Sequence, residues 1–306
     1  MAIPRVGLVL GGGGARGIAH VPVLEALDDL GITPTAISGT SIGAIVGAAR
    51  AGGLSGREVR ERTLASFGNR SAALGKLWSI RPRRFGDLLT GGIGLGQLSP
   101  EKILTAFVGD ALAPTFEDLV IPLAVVATDY YGGSEAVLTT GDLRRAVAAS
   151  IALPTIFKPV VIDGRVMIDG GVMNPVPVDV LPAEVDVIVA IDVVSFPEPQ
   201  DDRTVPGALE AMFGASQLLM QQIAAFKFDK RRPDILIRPP VNRVRVLDFL
   251  EAKAILAAAE VTREEVKRRL GRFIESHHVE PVAAIEPPKR RGLLMRRRRA
   301  REPGEG

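Results

Sequence analysis

At 306 residues, 46% of them apolar, the chain is long enough to bury a sizeable core. It contains no cysteine, which excludes disulfides and thiolate-held metals, and no stretch approaches the roughly 18 consecutive apolar residues of a membrane-spanning helix. The net charge of +3 conceals an asymmetry: within 287–306, eight basic residues (Lys289, Arg290, Arg291, Arg296–Arg299, Arg301) face two acids (Glu302, Glu305), a surplus of 6 that leaves the rest at −3.

The N-terminus runs almost directly into an apolar strand, Val6–Leu10, without the basic region, apolar run and cleavage site of a secretory signal, so a cytoplasmic protein is expected. Gly11-Gly12-Gly13-Gly14-Ala15-Arg16-Gly17 follows, and a helical pattern covers 17–30. Successive glycines let several backbone N–H groups converge on one anion, reinforced by the positive end of the next helix. The spacing Gly12-x-Gly14-x-x-Gly17 also fits a dinucleotide fingerprint, which requires an acid about 20 residues on to hold a ribose. The second strand, predicted over 35–38, instead runs into Gly39-Thr40-Ser41-Ile42-Gly43, with no acid there. An oxyanion hole for acyl transfer fits better. Ser41 stands between two glycines where a strand turns sharply into the helix Ile42–Ala51, the setting of a nucleophile elbow. A side chain at Gly39 or Gly43 would collide with neighbouring backbone in so tight a turn.

A helix is predicted over 56–67, then a segment with Trp78, Arg81, Pro82, Arg83, Arg84 and Phe85, then the glycine run 90–96. Two readings of 52–100 stay open: a lid over a lipid site, its arginines meeting phosphate head groups, or ordinary surface connections. Strands are expected over 121–127, 136–138, 160–162, 165–168, 185–192 and 234–238, with a short helix over 142–151. The alternation predicts an α/β fold around a mostly parallel sheet, placing Ser41 at the carboxyl end of a strand. Asp169-Gly170-Gly171 closes one of these strands, and its glycines leave room around a carboxylate that is the candidate base for Ser41. Asp129, in Ala-Thr-Asp, lacks such flanking glycines and is read as structural.

Only three histidines occur, His20, His277 and His278, and none is suitably placed for a Ser-His-Asp triad. His20 is expected to pack or hydrogen-bond locally, which leaves a serine–aspartate dyad. The apolar spacing of 206–230 predicts a packed core helix rather than a membrane-inserting one, and 247–274 a charged helix wrapping the body. From His277 onward, Pro281, Pro287, Pro288 and the basic run predict disorder.

Taken together, Gly-Gly-Gly-Gly-Ala-Arg-Gly-Ile-Ala-His, Gly-Thr-Ser-Ile-Gly-Ala, Ala-Thr-Asp at 127–129, Ala-Ser-Ile-Ala-Leu-Pro at 149–154 and Asp-Gly-Gly-Val-Met-Asn-Pro-Val-Pro-Val at 169–178 resemble the patatin-like phospholipase family, specifically its compact bacterial members. The resemblance covers about 5–200, and 201–275 more loosely. It implies a three-layer α/β sandwich, with a catalytic core over 5–200, an α/β extension over 201–275 packed on it, and a basic tail over 276–306. It further implies Ser41 as nucleophile, Asp169 as proton acceptor, and amides of Gly12, Gly13 and Gly14 as the oxyanion hole. Arg16, Gly17, Gly39, Gly43, Gly170 and Gly171 match the supporting positions. The implied activity is hydrolysis of acyl esters, most often phospholipids or lysophospholipids, without metal or organic cofactor.

The expected partner is therefore a lipid or acyl-ester substrate. The basic tail is either a contact for the anionic inner face of a membrane or a solvated end. Specific nucleic-acid binding has no aromatic residues beside the arginines to support it. A lipid-binding regulatory protein with a vestigial site is the alternative class, opposed by the intact serine, aspartate and glycine loop.

Overall fold

The computed structural model describes residues 4–79, 98–198 and 205–276. Arg81, Pro82, Arg83, Arg84, Phe85, the glycine run 90–96, His277, His278 and the basic tail lie outside them.

Among the described residues eight strands form one sheet: β1 (Val6–Leu10), β2 (Ala36–Thr40), β3 (Leu123–Asp129), β4 (Ser134–Leu138), β5 (Val160–Ile162), β6 (Arg165–Asp169), β7 (Val187–Ile191) and β8 (Ile235–Ile237). Their order is β5-β6-β3-β2-β1-β7-β8, with β4 also paired to β3. The five strands β3-β2-β1-β7-β8 run parallel, as buried apolar runs separated by helical crossovers should. β4 and β6 pair antiparallel with β3, and β5 with β6.

The helices are α1 (His20–Asp29), α2 (Ile42–Ala51), α3 (Gly56–Phe67), α4 (Arg70–Ser79), α5 (Pro100–Phe107), α6 (Leu143–Ser150), α7 (Ala208–Lys230) and α8 (Ala252–Ser276). Their starts are legible in local chemistry. Ser55 and Glu58 form a reciprocal capping box on α3, Ser99 caps α5 ahead of Pro100, and Asp142 caps α6. The period-2 alternation of the strands divides the interior into two layers. Leu8 and Leu10 pack with α1, α2, α3, α6 and α8, whereas Val9 faces the other way onto Val176, Val178 and Ala224 of α7. Arg60 of α3 pairs with Glu25 of α1 and Glu260 of α8, tying the thicker layer together. The chain beyond residue 200 thus contributes an edge strand and a helix to each layer.

Two expectations are corrected. The helix predicted over 17–30 is split: 14–19 winds as a 3-10 turn and the α-helix starts at His20. Gly14 opens that turn at φ +59°, and a Cβ on Gly17 would stand 2.2 Å from Cγ2 of Ile42, so this winding lets the glycine loop press against α2. The second correction concerns 206–230, which is helical but not a packed core helix. Met212, Leu218, Leu219 and Phe226 are between 39% and 66% exposed. The reason is architectural: among the described residues, α7 is the only α-helix on its face of the sheet, so only its inner side finds a layer to pack on.

Candidate active site

β2 and β6 bring Ser41 and Asp169 together through their shared neighbour. β3 uses one edge for β4 along 125–129, so β2 and β6 both occupy the other edge. There β2 ends with Thr40 opposite Val126, and β6, running the opposite way, ends with Asp169 opposite Ala127. Two strand ends converge on consecutive residues, and the residue after Thr40 is Ser41. Its Oγ donates to Oδ2 of Asp169 at 2.6 Å.

Ser41 occupies φ 55°, ψ −123°, a conformation costly for a non-glycine residue. The fold holds it there. Its N–H donates to Oγ of Ser150 at 2.8 Å, and that hydroxyl donates on to the carbonyl of Val126 at 2.6 Å. The N–H groups of Ala44 and Ile45 donate to the Ser41 carbonyl as α2 begins. The flanking glycines are there by necessity: a Cβ on Gly43 would lie 2.0 Å from the Leu10 carbonyl oxygen, and one on Gly39 would lie 2.6 Å from that of Gly43.

Asp169 is buried, and its carboxylate is held at both oxygens. Oδ1 accepts the N–H of Gly171 at 2.8 Å, while Oδ2 faces Ser41. Burial pushes its pKa up to about 6, against the two hydrogen bonds, which favour the charged form. Gly170 is obligatory, since a Cβ there would stand 2.1 Å from the Val126 carbonyl oxygen. The segment after it is stitched beneath β2. Thr40 Oγ1 donates to the Asn174 carbonyl at 2.7 Å, and Ser38 Oγ to that of Pro177 at 2.8 Å.

The glycine loop lies alongside: a Cβ on Gly12 would fall 3.3 Å from that of Ser41. Its carbonyls are pinned from behind. His20, fully buried, places Nε2 2.9 Å from the Gly11 carbonyl oxygen, so this nitrogen carries the proton. Burial lowers the His20 pKa to about 4, against the hydrogen bond to Gly11, and the ring is neutral at physiological pH. Arg16, also buried, donates from Nε to the Gly13 carbonyl at 3.2 Å, and burial lowers its pKa to about 10. A trans peptide points its C=O and following N–H in opposite directions, so holding the Gly13 carbonyl also sets the direction of the Gly14 N–H. The N–H of Gly12 donates to the Pro175 carbonyl at 2.9 Å. Among the described residues, the N–H groups of Gly13 and Gly14 meet no partner.

Asp129, the other aspartate at a strand end, is engaged away from the dyad. Asp129 accepts the Gly132 N–H at 2.9 Å and lies 3.8 Å from Nη1 of Arg165. Ser150, Asn174 and Pro175 are functional positions that the sequence does not single out. Ser150 and Asn174 lie inside motif strings, but nothing in spacing says that one receives the Ser41 amide and the other carries the Thr40 hydroxyl.

Gly12, Gly13, Gly14, Arg16, Ser41 and Asp169 open into one cavity of about 1380 Å³. Its remaining walls are mainly apolar, including Ile42, Ile45, Val59, Phe67, Phe107, Phe157, Met212, Phe213, Leu219 and Met220. A short polar floor beneath long apolar walls suits a molecule with one reactive polar group on a hydrocarbon body. Among the described residues no cluster of three or more His, Cys, Asp or Glu side chains could hold a metal, and no helix is long and apolar enough to cross a membrane.

Residues 8–182 match the sequence profile of the patatin-like phospholipases. An uncharacterized NTE family protein of Mycobacterium tuberculosis is 39% identical over 176 residues, 57% of this chain and 44% of that protein. The neuropathy target esterase sws of Drosophila melanogaster is 32% identical over an alignment covering 92% of this chain and 21% of its own length. The chain therefore spans less than half of the curated relatives it matches. Among solved structures, VipD from Legionella pneumophila shares the fold, with a TM-score of 0.50 and 17% identity over 87% of this chain and 67% of its own.

Proposed function

Because the chain belongs to the patatin-like phospholipase family, we propose that it is a serine acyl-ester hydrolase acting on phospholipids or lysophospholipids through a Ser41–Asp169 dyad. The observation that carries this reading is the 2.6 Å contact between Ser41 Oγ and Asp169 Oδ2 at the floor of an apolar cavity. A Mycosarcoma maydis relative, 34% identical over 58% of this chain and 9% of its own length, is a lysophospholipase.

In the proposed cycle Ser41 Oγ attacks the acyl carbonyl carbon as Asp169 Oδ2 takes the hydroxyl proton. Negative charge gathers on the former carbonyl oxygen, where the N–H groups of Gly13 and Gly14 receive it. The Gly12 N–H, bound to Pro175, contributes by holding the loop in place. Collapse breaks the ester C–O bond, and Asp169 returns its proton to the departing alcohol oxygen. Water then attacks acyl-Ser41, with Asp169 accepting a proton from it and passing one back to Ser41 Oγ, and a fatty acid leaves. The apolar walls hold the acyl chain throughout. No role falls to His20, whose proton-bearing nitrogen is bound to Gly11.

The test is the pH dependence of turnover. Asp169 accepts a proton only when ionised, so kcat/KM on a short-chain ester is expected to rise with an apparent pKa of about 6 and level off above it. Well below that value it should fall about tenfold per pH unit. A profile governed instead by a group near 8, or flat from pH 4 to 8, contradicts Asp169 as the base.

A further inference from the structure

Helix α7 combines two properties that seldom meet in a water-facing helix. Its 16 residues from Ala211 to Phe226 contain no charged side chain, and several of its large apolar residues face outward. A surface helix ordinarily presents charged or polar residues on the side away from the core. Here Leu218 is 50%, Leu219 66% and Phe226 61% exposed. Val172 and Phe196, on the segments that pack against α7, are also more than two-fifths exposed. Gly171 approaches Met220, and Pro197 approaches Gly214, so both segments lie directly beside the helix.

We propose that this face is a docking surface for a phospholipid bilayer. The proposal rests on the hydrolase reading for its physiological sense, and it commits to the bilayer because the patch is continuous with the catalytic cavity. Met212, Leu219, Val172 and Phe196 are exposed at the surface and also line the cavity that holds Ser41 and Asp169. Whatever apolar phase covers the patch therefore connects with the space where an acyl chain would sit. An acyl chain leaving a bilayer through water exposes its methylenes at roughly 0.8 kcal/mol each, whereas a patch seated on the bilayer lets the chain pass from one apolar medium to the other. Met212, Leu218, Leu219 and Phe226 belong to one helix, flanked by Val172 and Phe196, a geometry suited to shallow insertion at an interface. At the end of α7, Lys230 stands 4.8 Å over the Phe226 ring, so a cation borders the apolar face, where a long side chain can reach a polar head group.

The experiment uses the full chain, its Leu218→Glu/Phe226→Glu double variant and Ser41→Ala. Both substituted α7 side chains face solvent and neither lines the cavity. Partition onto vesicles of phosphatidylcholine alone is measured by co-flotation, so that a basic segment has no anionic lipid to meet. The parent and Ser41→Ala are expected to float equally, and the double variant to lose at least about tenfold in partition while hydrolysing a dispersed short-chain ester within about twofold of the parent. Equal flotation of the double variant, or a parent that stays in the aqueous phase, overturns the proposal. So does a parent that elutes as a dimer and a double variant that elutes as a monomer, which would make a second copy the occupant. Inactivity of the parent on the ester, with flotation as expected, would count against the hydrolase reading while leaving the docking surface standing.

Discussion

Replacing Asp169 with asparagine is expected to lower kcat on an ester by about 10⁴-fold and to abolish the step in activity near pH 6. Asparagine has nearly the same shape and can still accept the Gly171 N–H, so the fold around the site should survive. It cannot accept a proton from Ser41. The same variant should also be the more stable protein at high pH. Folding raises the aspartate from 3.8 to about 6, so the native state binds this proton more tightly than the unfolded chain does. The stability linked to that proton is complete below the unfolded value and is lost as pH rises through the folded one. Asparagine is neutral at every pH and escapes that loss. Asp169→Asn should therefore melt above the parent at pH 8, by up to about 3 kcal/mol, and close to it at pH 4. Steady-state kinetics and thermal melts at the two pH values check both halves. A variant that keeps activity but gains stability would separate the buried carboxylate from the chemistry.

Ser41→Ala is expected to cost about 10⁴-fold or more in kcat, with little change in the affinity for an uncleavable lipid analogue. The substitution removes only Oγ, and the apolar walls that hold the hydrocarbon are untouched. It leaves Asp169 buried without its hydroxyl partner, which takes away one of the two hydrogen bonds favouring the charged form. The pKa of Asp169 should therefore rise further in this variant. Hydrolysis assays alongside calorimetric binding of the analogue distinguish a lost nucleophile from a lost pocket: equal losses of rate and affinity would mean that the cavity had collapsed.

Much of this site was legible because it is built from backbone constraints that leave marks in the sequence. Gly39 and Gly43 flank Ser41 because backbone oxygens lie 2.6 Å and 2.0 Å from where their Cβ atoms would be. Gly170 follows Asp169 for the same reason. The helix limits Ile42–Ala51 and Gly56–Phe67 were also readable, the first from the elbow and the second from its helical spacing, and the structure adds the Ser55 cap to the second. What stayed hidden depends on partners distant in the chain. That Gly12 surrenders its N–H to Pro175, while Gly13 and Gly14 keep theirs, depends on a segment more than 160 residues away. Ser150 reaches the Ser41 amide across a separation of 109 residues, and no local pattern announces such a contact. α7 failed for a different reason. Apolar spacing says that a helix has an apolar side but not whether anything covers it. A helix apolar nearly all round reads as core until the sheet face it occupies proves to carry, among the described residues, no other helix.

The central claim, that Ser41 is a nucleophile activated by Asp169, is tested most directly by covalent labelling. An alkyl fluorophosphonate, which forms a stable phosphorus–oxygen bond with activated serines, is incubated with the parent and with Asp169→Asn, and the modified peptide is identified by mass spectrometry. A single adduct on Ser41, formed in the parent and slowed at least about 10²-fold in Asp169→Asn, is the predicted result. An adduct on another residue, or equally fast labelling of Ser41 without the carboxylate, would contradict it.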